Sequence, residues 1–325
     1  MTERVVITSQ IPEIALDILR GFDVTVHQSR RARSEDELVD LVRDCDALIT
    51  LVSDPVSRRV LEAGSRLRII ANYAVGTNNI DLEAAASLGM IVTNTPDVLT
   101  SATADLTMAL ILAVTRRLIE GDRMMREARF EGWHPMLLLG CGLEGKTLGI
   151  IGPGRIGRAV ARRAAGFDMK VIVSGRAQTL QPPSFSEASP ISLEDLLSSS
   201  DIVSIHTPLT PETRRLIDRH RLTLMKKGAF LINTARGEIV DEAALADCLD
   251  AGHLAGAGLD VFENEPDVSP RLAAMSNVVL LPHIGSATRE ARTAMAKIAA
   301  SEVAAVLGGE APRFPVGSPR KKGER

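Results

Sequence analysis

Cysteine is scarce in this chain: Cys45, Cys141 and Cys248 are its three, scattered through 325 residues. Their spacing offers neither a disulfide framework nor a thiolate metal site, so they read as reduced residues of a cytoplasmic protein. No uninterrupted apolar run reaches the roughly 18 residues that suggest a membrane span. The N-terminus lacks the apolar core of a secretory signal, because Met1-Thr2-Glu3-Arg4 runs straight into Val5. Positive charge is not in excess either. The 38 Lys and Arg against 41 Asp and Glu leave a net charge of -3, which makes no electrostatic case for a nucleic-acid partner. The six histidines form no cluster with metal-ligand spacing. What remains is an ordinary globular composition, 45% hydrophobic and 24% charged, on a chain long enough for two domains.

The pattern along the chain is an alternation. Short apolar runs at 4–8, 22–26, 47–51, 67–72 and 90–93 read as strands. Helical patterns at 12–19, 57–63 and 81–88 fall between them, with another that starts at Ser34, a capping serine followed by three acids. Strands alternating with helices imply a parallel sheet covered on both faces. One long helical pattern then runs from 101 to about 129, followed by a looser stretch at 132–145. A second alternation follows, with strands at 147–151, 170–173, 201–206, 229–233, 255–259 and 278–281. Its helices fall at 155–166, 193–199, 218–225 and 241–251. Residues 177–190, rich in Pro and Ser, read as loop, 286–307 as a last long helix, and 315–325 as a disordered, solvated tail. The fold class is therefore α/β.

The first strand of the second alternation meets Gly152-Pro153-Gly154-Arg155-Ile156-Gly157. The order strand, G-x-G-x-x-G, helix is that of a dinucleotide site. Gly152 permits the tight turn, Gly154 lets backbone approach a pyrophosphate, and Gly157 lets helix and strand pack closely. The helix N-terminus offers its free N–H groups and positive dipole end to the phosphates, with Arg155 and Ile156 in its first turn. The next strand ends Val173-Ser174-Gly175-Arg176 and carries no carboxylate to hold a ribose 2′-hydroxyl. Arg176 suits a 2′-phosphate instead, with Ser174 and Gly175 as further donors, so the reading is NADPH, with NADH as the lesser alternative. A plain solvated loop arginine is the competing account of Arg176.

Three later stretches supply a cation, an acid and an imidazole: Arg236 after the 229–233 strand, Glu265 before Pro266, and His283 after the 278–281 strand. Each follows the carboxyl end of a strand, where open α/β sheets bind ligands. Their wide separation in sequence does not by itself bring them together, and each alone has a plainer reading as surface charge, turn acid or structural hydrogen-bonder.

Residues 72–81, 93–96, 149–157, 233–237, 256–266 and 282–286 together resemble the D-2-hydroxyacid dehydrogenases over nearly the whole chain, roughly 4–310. Within that family the chain is most similar to glyoxylate/hydroxypyruvate reductases, through Thr50-Leu51-Val52-Ser53-Asp54, Trp133-His134-Pro135 and Ser174-Gly175-Arg176. The resemblance implies two Rossmann-like doubly wound parallel-sheet domains. A dinucleotide domain, 100–286, would be inserted into a flavodoxin-like substrate domain formed by 1–99 and 287–325. It implies a catalytic triad of Arg236, Glu265 and His283, and cofactor contacts from Thr103, Thr207, Pro208, Thr234, Ala235, Asp260 and Gly285. For the substrate it implies the backbone of Val75 and Gly76, a roof from Leu51, and Ser286. Trp133 would reach the pocket of a neighbouring subunit in a homodimer built through 101–145, although a core tryptophan is a nearly equal alternative.

The implied chemistry suits these residue types. The rigid fork of Arg236 can bind the carboxylate of a 2-oxo acid and polarise its carbonyl. A protonated His283 can give its proton to the carbonyl oxygen as hydride reaches C2, and Glu265 would fix the productive tautomer. Pro153 and Thr77 depart from the family's usual residues without touching the triad. Relatives acting on phosphoglycerate or bulkier 2-oxo acids are the enzyme alternatives; phosphite is disfavoured by Val75, where those enzymes have lysine. A dinucleotide-sensing corepressor is the alternative from another class. His27, His220 and His253 read as surface residues, and His206 as either a packing residue or part of the nicotinamide side.

Overall fold

The computed structural model describes residues 2–28, 31–175 and 191–317. Arg176, the 177–190 loop and the end of the 315–325 tail lie outside the described residues. The chain divides into two compact units, one formed by Met1–Leu99 with Ala287–Arg325 and the other by Thr100–Ser286.

In the first unit five strands form one sheet: β1 (Arg4–Ile7), β2 (Asp23–Val26), β3 (Ala47–Thr50), β4 (Ile69–Asn72) and β5 (Ile91–Thr93). Their order is β2-β1-β3-β4-β5 and every pairing is parallel. β3 and β4 are buried along their whole length, which explains their unbroken apolar runs. Helices α1 (Ile14–Ile18), α2 (Glu35–Val42), α3 (Arg58–Ala63) and α4 (Leu82–Ser87) alternate with the strands. Ser34 and Glu37 close a reciprocal capping box that starts α2. The last helix of the chain, Arg289–Leu307, returns to this unit and packs on α1, β3 and β4.

The second unit opens with α5 (Thr100–Thr115) and α6 (Leu118–Arg126). Its sheet holds β6 (Thr147–Ile151), β7 (Lys170–Ser174), β8 (Ile202–Ile205), β9 (Ala229–Asn233), β10 (Leu254–Leu259) and β11 (Val278–Leu280). The order is β11-β10-β9-β8-β6-β7, again parallel throughout. α5 and α7 (Arg155–Ala165) contribute Leu110, Ile111 and Val160 to one apolar cluster. α8 (Leu193–Ser199), α9 (Arg219–Leu224) and α10 (Glu242–Asp250) contribute Leu197, Leu222 and Leu245 to another. Strand order reverses between β6 and β8, so the crevice where such sheets take ligands opens beyond the ends of those strands.

Three local features differ from the sequence pattern. The long helix read at 101–129 is broken, because Arg117 adopts φ 53° between α5 and α6. Thr115 explains the break: its carbonyl accepts from Cys141 N–H at 2.8 Å. Gly140 lies so close that a Cβ there would meet the Thr115 oxygen at 2.3 Å. Two residues distant in sequence thus cap the helix. The structure also adds a 3-10 turn at Gly237–Ile239 and a short helix α11 (Pro270–Ala274), which starts with proline at a permitted position. Among the described residues no helix is long and apolar enough to cross a membrane.

Candidate active site

β6 delivers the chain into the glycine turn. Gly152 has φ +88°, and a Cβ there would meet Thr207 N at 2.7 Å and the His206 carbonyl carbon at 2.8 Å. The turn therefore lies against the backbone after β8, at the strand-order switch. Gly157 is equally constrained, since a Cβ would sit 2.5 Å from the Gly152 oxygen. Gly154 is different: it caps α7, and nothing lies within 4 Å of a Cβ built on it. Open space in front of the N-terminus of an 11-residue helix fits a pyrophosphate. Pro153 fits because of Gly175, where a Cβ would collide with the proline Cδ at 2.6 Å. Ser174 is half-buried and its carbonyl accepts from Gly152 N–H at 2.9 Å.

The loops after β9, β10 and β11 bring the charged groups together. Asn233, at the end of β9, folds the first loop back on itself. Its Nδ2 donates to the Arg236 carbonyl at 2.8 Å, and its Oδ1 accepts from Ala235 N–H at 3.0 Å. Thr234 ties the same loop to α5 through Thr107, with the two Oγ1 atoms 3.0 Å apart. The Arg236 guanidinium donates to the Ala235 carbonyl at 2.7 Å. Burial pulls its pKa below the ordinary arginine value, while the charges of Glu265 and Glu238 oppose that shift. The group stays cationic, as arginine does in proteins.

Gly237 presses directly on the loop after β10, with no space between the two backbones for a Cβ. That loop brings Glu265 to His283. One carboxylate oxygen accepts from Phe262 N–H at 3.1 Å and the other lies 2.8 Å from His283 Nδ1. Burial acts to raise the Glu265 pKa, but the hydrogen bond and charge of His283, the Phe262 N–H and the Arg236 charge outweigh it. The net shift is downward, and Glu265 is a carboxylate.

His283 itself sits at φ 54°, a left-handed conformation that a non-glycine residue keeps only when its surroundings enforce it. Asp260 does the enforcing. Its backbone carbonyl accepts from His283 N–H at 2.9 Å, and its two carboxylate oxygens accept from Ile284 and Gly285 N–H at 2.7 Å each. Burial of Asp260 raises its pKa even though those N–H groups favour the anion. With Nδ1 committed to Glu265, Nε2 of His283 is the nitrogen left to exchange a proton with a ligand.

The remaining sequence-derived residues fall in several places. Thr103 lies beside Gly285 and Asp260, since a Cβ on Gly285 would meet the Thr103 methyl at 3.4 Å and Asp260 Oδ2 at 3.2 Å. Thr207 and Pro208 follow β8, and half-buried Ser286 closes the second unit. Leu51, Val75 and Gly76 belong to the first unit, after β3 and β4. Trp133 is 81% exposed, so the core alternative for it is wrong. His206 pairs its Nε2 with Ser204 Oγ at 2.9 Å, and burial pushes its pKa down to about 3, so it is neutral. His253 is not a free surface residue: its Nε2 is shut away from solvent.

Sequence reading missed three holders of this geometry. Glu242 is buried and accepts from Glu263 N–H at 2.6 Å, bracing the Glu265 loop from α10. Asp54 gathers Thr8 Oγ1, Thr50 Oγ1 and Leu51 N–H at 2.6, 3.0 and 2.9 Å. Asn79 donates to the carbonyls of Leu51 and Asp54 at 2.9 and 3.2 Å. An acid shortly after an apolar strand was a usable signal for Asp54. Nothing in local spacing marks Asn79.

Comparison with known proteins identifies the family. Residues 108–285 match the family model of the D-isomer specific 2-hydroxyacid dehydrogenase NAD binding domain. A glyoxylate reductase of Thermococcus litoralis is 48% identical over 317 residues, 96% of this chain and 96% of the relative. Among solved structures, the TT0316 protein of Thermus thermophilus superposes with TM-score 0.90 at 48% identity, covering 97% of this chain and 100% of the other. An NADPH-dependent glyoxylate/hydroxypyruvate reductase of Sinorhizobium meliloti, solved with NADP and malonate, gives TM-score 0.87 at 32% identity. That match covers 98% of each chain. The chain thus belongs to the D-isomer specific 2-hydroxyacid dehydrogenases, as a nicotinamide-dinucleotide oxidoreductase of glyoxylate reductase type that reduces small 2-oxo acids.

Proposed function

We propose that the chain is an NADPH-dependent reductase of glyoxylate and hydroxypyruvate, yielding glycolate and D-glycerate, with Arg236, Glu265 and His283 as its catalytic residues. The observation that carries the reading is the Glu265–His283 pair at 2.8 Å, with Glu265 on a loop in backbone contact with the turn that bears Arg236. When bound, the nicotinamide dinucleotide supplies a hydride to C2 of the substrate. The chain does the rest. Arg236 binds the carboxylate and polarises the carbonyl through its fixed fork of donors. His283 delivers a proton from Nε2 to the carbonyl oxygen, while Glu265 holds Nδ1–H and stabilises the imidazolium. Gly154, Arg155 and Ile156 meet the pyrophosphate at the α7 N-terminus, and Thr103, Thr234, Ala235, Asp260 and Gly285 line the nicotinamide side with Thr207 and Pro208.

In this reading 100–286 is the dinucleotide domain, while 1–99 and 287–325 form the substrate domain, working in the cytoplasm. Val75 and Gly76 offer backbone N–H groups to the carboxylate, and Leu51 and Ser286 are further substrate-binding residues. The preference for NADPH is supported by a second strand that ends in Ser174-Gly175-Arg176 without an acid, and by the cofactor of the Sinorhizobium meliloti relative. Oxidation of NADPH and NADH across a panel of 2-oxo acids tests all of this. The expected order puts glyoxylate and hydroxypyruvate first, with kcat/KM for NADPH above that for NADH, and Arg176→Ala removing much of the difference. A clear NADH preference would sink the cofactor assignment; no turnover of any member would favour a dinucleotide-sensing binding protein.

The proposal includes a homodimer. α6 and the segment after it expose Met125, Phe130, Trp133, Met136 and Leu139, with Met136 69% and Trp133 81% accessible. So much apolar surface on one segment is what a subunit interface covers. Leu139 also borders a cavity of about 440 Å³ at the amino ends of β9, β10 and β11, away from the glycine turn and His283. Sedimentation should report a dimer for the wild type, and Met136→Asp with Trp133→Asp should shift it towards monomer. A monomeric wild type at micromolar concentration would refute the interface.

A further inference from the structure

The substrate-side loop of the first unit, residues 73–77, is held by side-chain amides rather than by a ladder. Thr95 N–H donates to the Ala74 carbonyl at 2.9 Å, which lays the end of β5 beside the loop. Next along, Asn94 Nδ2 donates to the Val75 carbonyl at 2.8 Å, and Asn72 Nδ2 donates to the Gly76 carbonyl at 2.7 Å. Asn72 is fully buried at the end of β4, and its side chain pairs with that of Asn79 at 3.3 Å. Asn79 in turn holds the Leu51 carbonyl at 2.9 Å, while Asp54 holds the Leu51 N–H at 2.9 Å.

Peptide geometry turns these bonds into an orientation. In a trans peptide the carbonyl and the following N–H point in opposite directions. Fixing the Ala74 and Val75 carbonyls towards the body of the unit therefore turns the Val75 and Gly76 N–H groups outward as a pair, and the bond to the Gly76 carbonyl fixes the plane that follows. Among the described residues neither N–H has a hydrogen-bond partner. Two adjacent outward N–H groups on a braced loop form a small cradle for an anion.

We propose that Asn94 and Asn72 are positioning residues for substrate binding: Asn94 holds the peptide plane that presents the Gly76 N–H and Asn72 holds the plane after it, so that the Val75 and Gly76 N–H groups receive the carboxylate of the 2-oxo acid. Asn79 and Asp54 extend the same bracing to Leu51, so the cradle and the side chain proposed to roof the pocket are set by one connected network. The inference rests on the reading of this loop as the carboxylate site and adds what gives the loop its shape. Neither asparagine touches the reacting atoms. Their effect belongs in substrate affinity and not in the proton or hydride steps.

The test is Asn94→Leu, with the same number and branching of side-chain heavy atoms but no donor, assayed with the preferred dinucleotide. KM for glyoxylate and Ki for oxamate, a non-reducible molecule with the same carboxylate and carbonyl, should rise together by at least roughly tenfold, the scale of one charge-assisted hydrogen bond. KM for the dinucleotide should stay within about twofold, and kcat should change far less than KM. Asn94→His, whose Nδ1–H can stand near the lost Nδ2, should recover part of the affinity. If Asn94→Leu loses its fold by circular dichroism, Asn94→Ala carries the same expectation. Unchanged KM and Ki, or a fall in kcat at constant Ki, overturns the inference. If the wild type reduces no 2-oxo acid, the proposed function has failed first; normal wild-type turnover with an insensitive Asn94 variant fails this inference alone.

Discussion

His283→Ala will lower kcat for 2-oxo acid reduction by roughly 10²–10⁴-fold, the usual worth of a positioned general acid. The reasoning begins with the two ring nitrogens. Glu265 Oε2 stands 2.8 Å from Nδ1, so that nitrogen is occupied and only Nε2 is available to the carbonyl oxygen. Removing the ring takes away the proton donor while the Glu265 carboxylate, still hydrogen-bonded to Phe262 N–H, stays in the wall as a negative charge that has lost its histidine partner. Such a charge disfavours a bound carboxylate, so KM for the 2-oxo acid should rise as well. The dinucleotide KM should move little, because the glycine turn depends on β6, α7 and the 206–207 backbone and not on His283. Steady-state kinetics in glyoxylate and in NADPH separate these effects. Glu265→Gln is the informative companion, since it keeps the shape and deletes the charge that favours the imidazolium. A His283→Ala enzyme with near wild-type kcat would remove the histidine from the mechanism.

The alternation of short apolar runs with helical patterns made the two parallel sheets legible, because buried parallel strands need nearly continuous apolar sequence. The glycine turn was legible for the same kind of local reason: Gly152 and Gly157 each stand where a side chain has no room. The approach of Glu265 to His283 was not local. No spacing links residues on two different loops, and in the sequence only resemblance to a family points to the 2.8 Å contact. The break at Arg117 was hidden because the residues that cap α5, Gly140 and Cys141, come from beyond α6. The asparagine bracing of 75–77 was hidden in the same way, its parts coming from the ends of β4 and β5. Pro153 departs from the family's usual residue, and what accommodates its ring is Gly175, which leaves room for it. Long-range polar contacts of this kind depend on side-chain reach across loops, and periodicity carries no record of it.

Gly237→Ala will cost about 3–5 kcal/mol of stability and most of the activity, an effect at the upper end of single-residue substitutions. The glycine's conformation is not the reason; the contact is. A Cβ at 237 would lie 1.9 Å from the Phe262 carbonyl carbon, 2.1 Å from its oxygen and 2.3 Å from Glu263 N. All three are backbone atoms, so no rotamer change relieves the clash and one loop must move. Either movement disturbs the candidate site. Shifting the 237 side displaces Arg236, whose carbonyl is held by Asn233 at 2.8 Å. Shifting the 262–263 side strains the bond from Glu263 N–H to Glu242 at 2.6 Å and carries Glu265 away from His283. Thermal or chemical denaturation measures the first effect, and kcat/KM of the folded fraction measures the second. Gly228→Ala is a useful contrast, with φ +83° and nothing within 4 Å of its Cβ. It should lower stability by only about 1 kcal/mol through backbone strain and leave kcat/KM alone. A Gly237→Ala protein as stable and active as the wild type would mean that the two loops are not in contact, and the joint placement of Arg236 and Glu265 would fall with it.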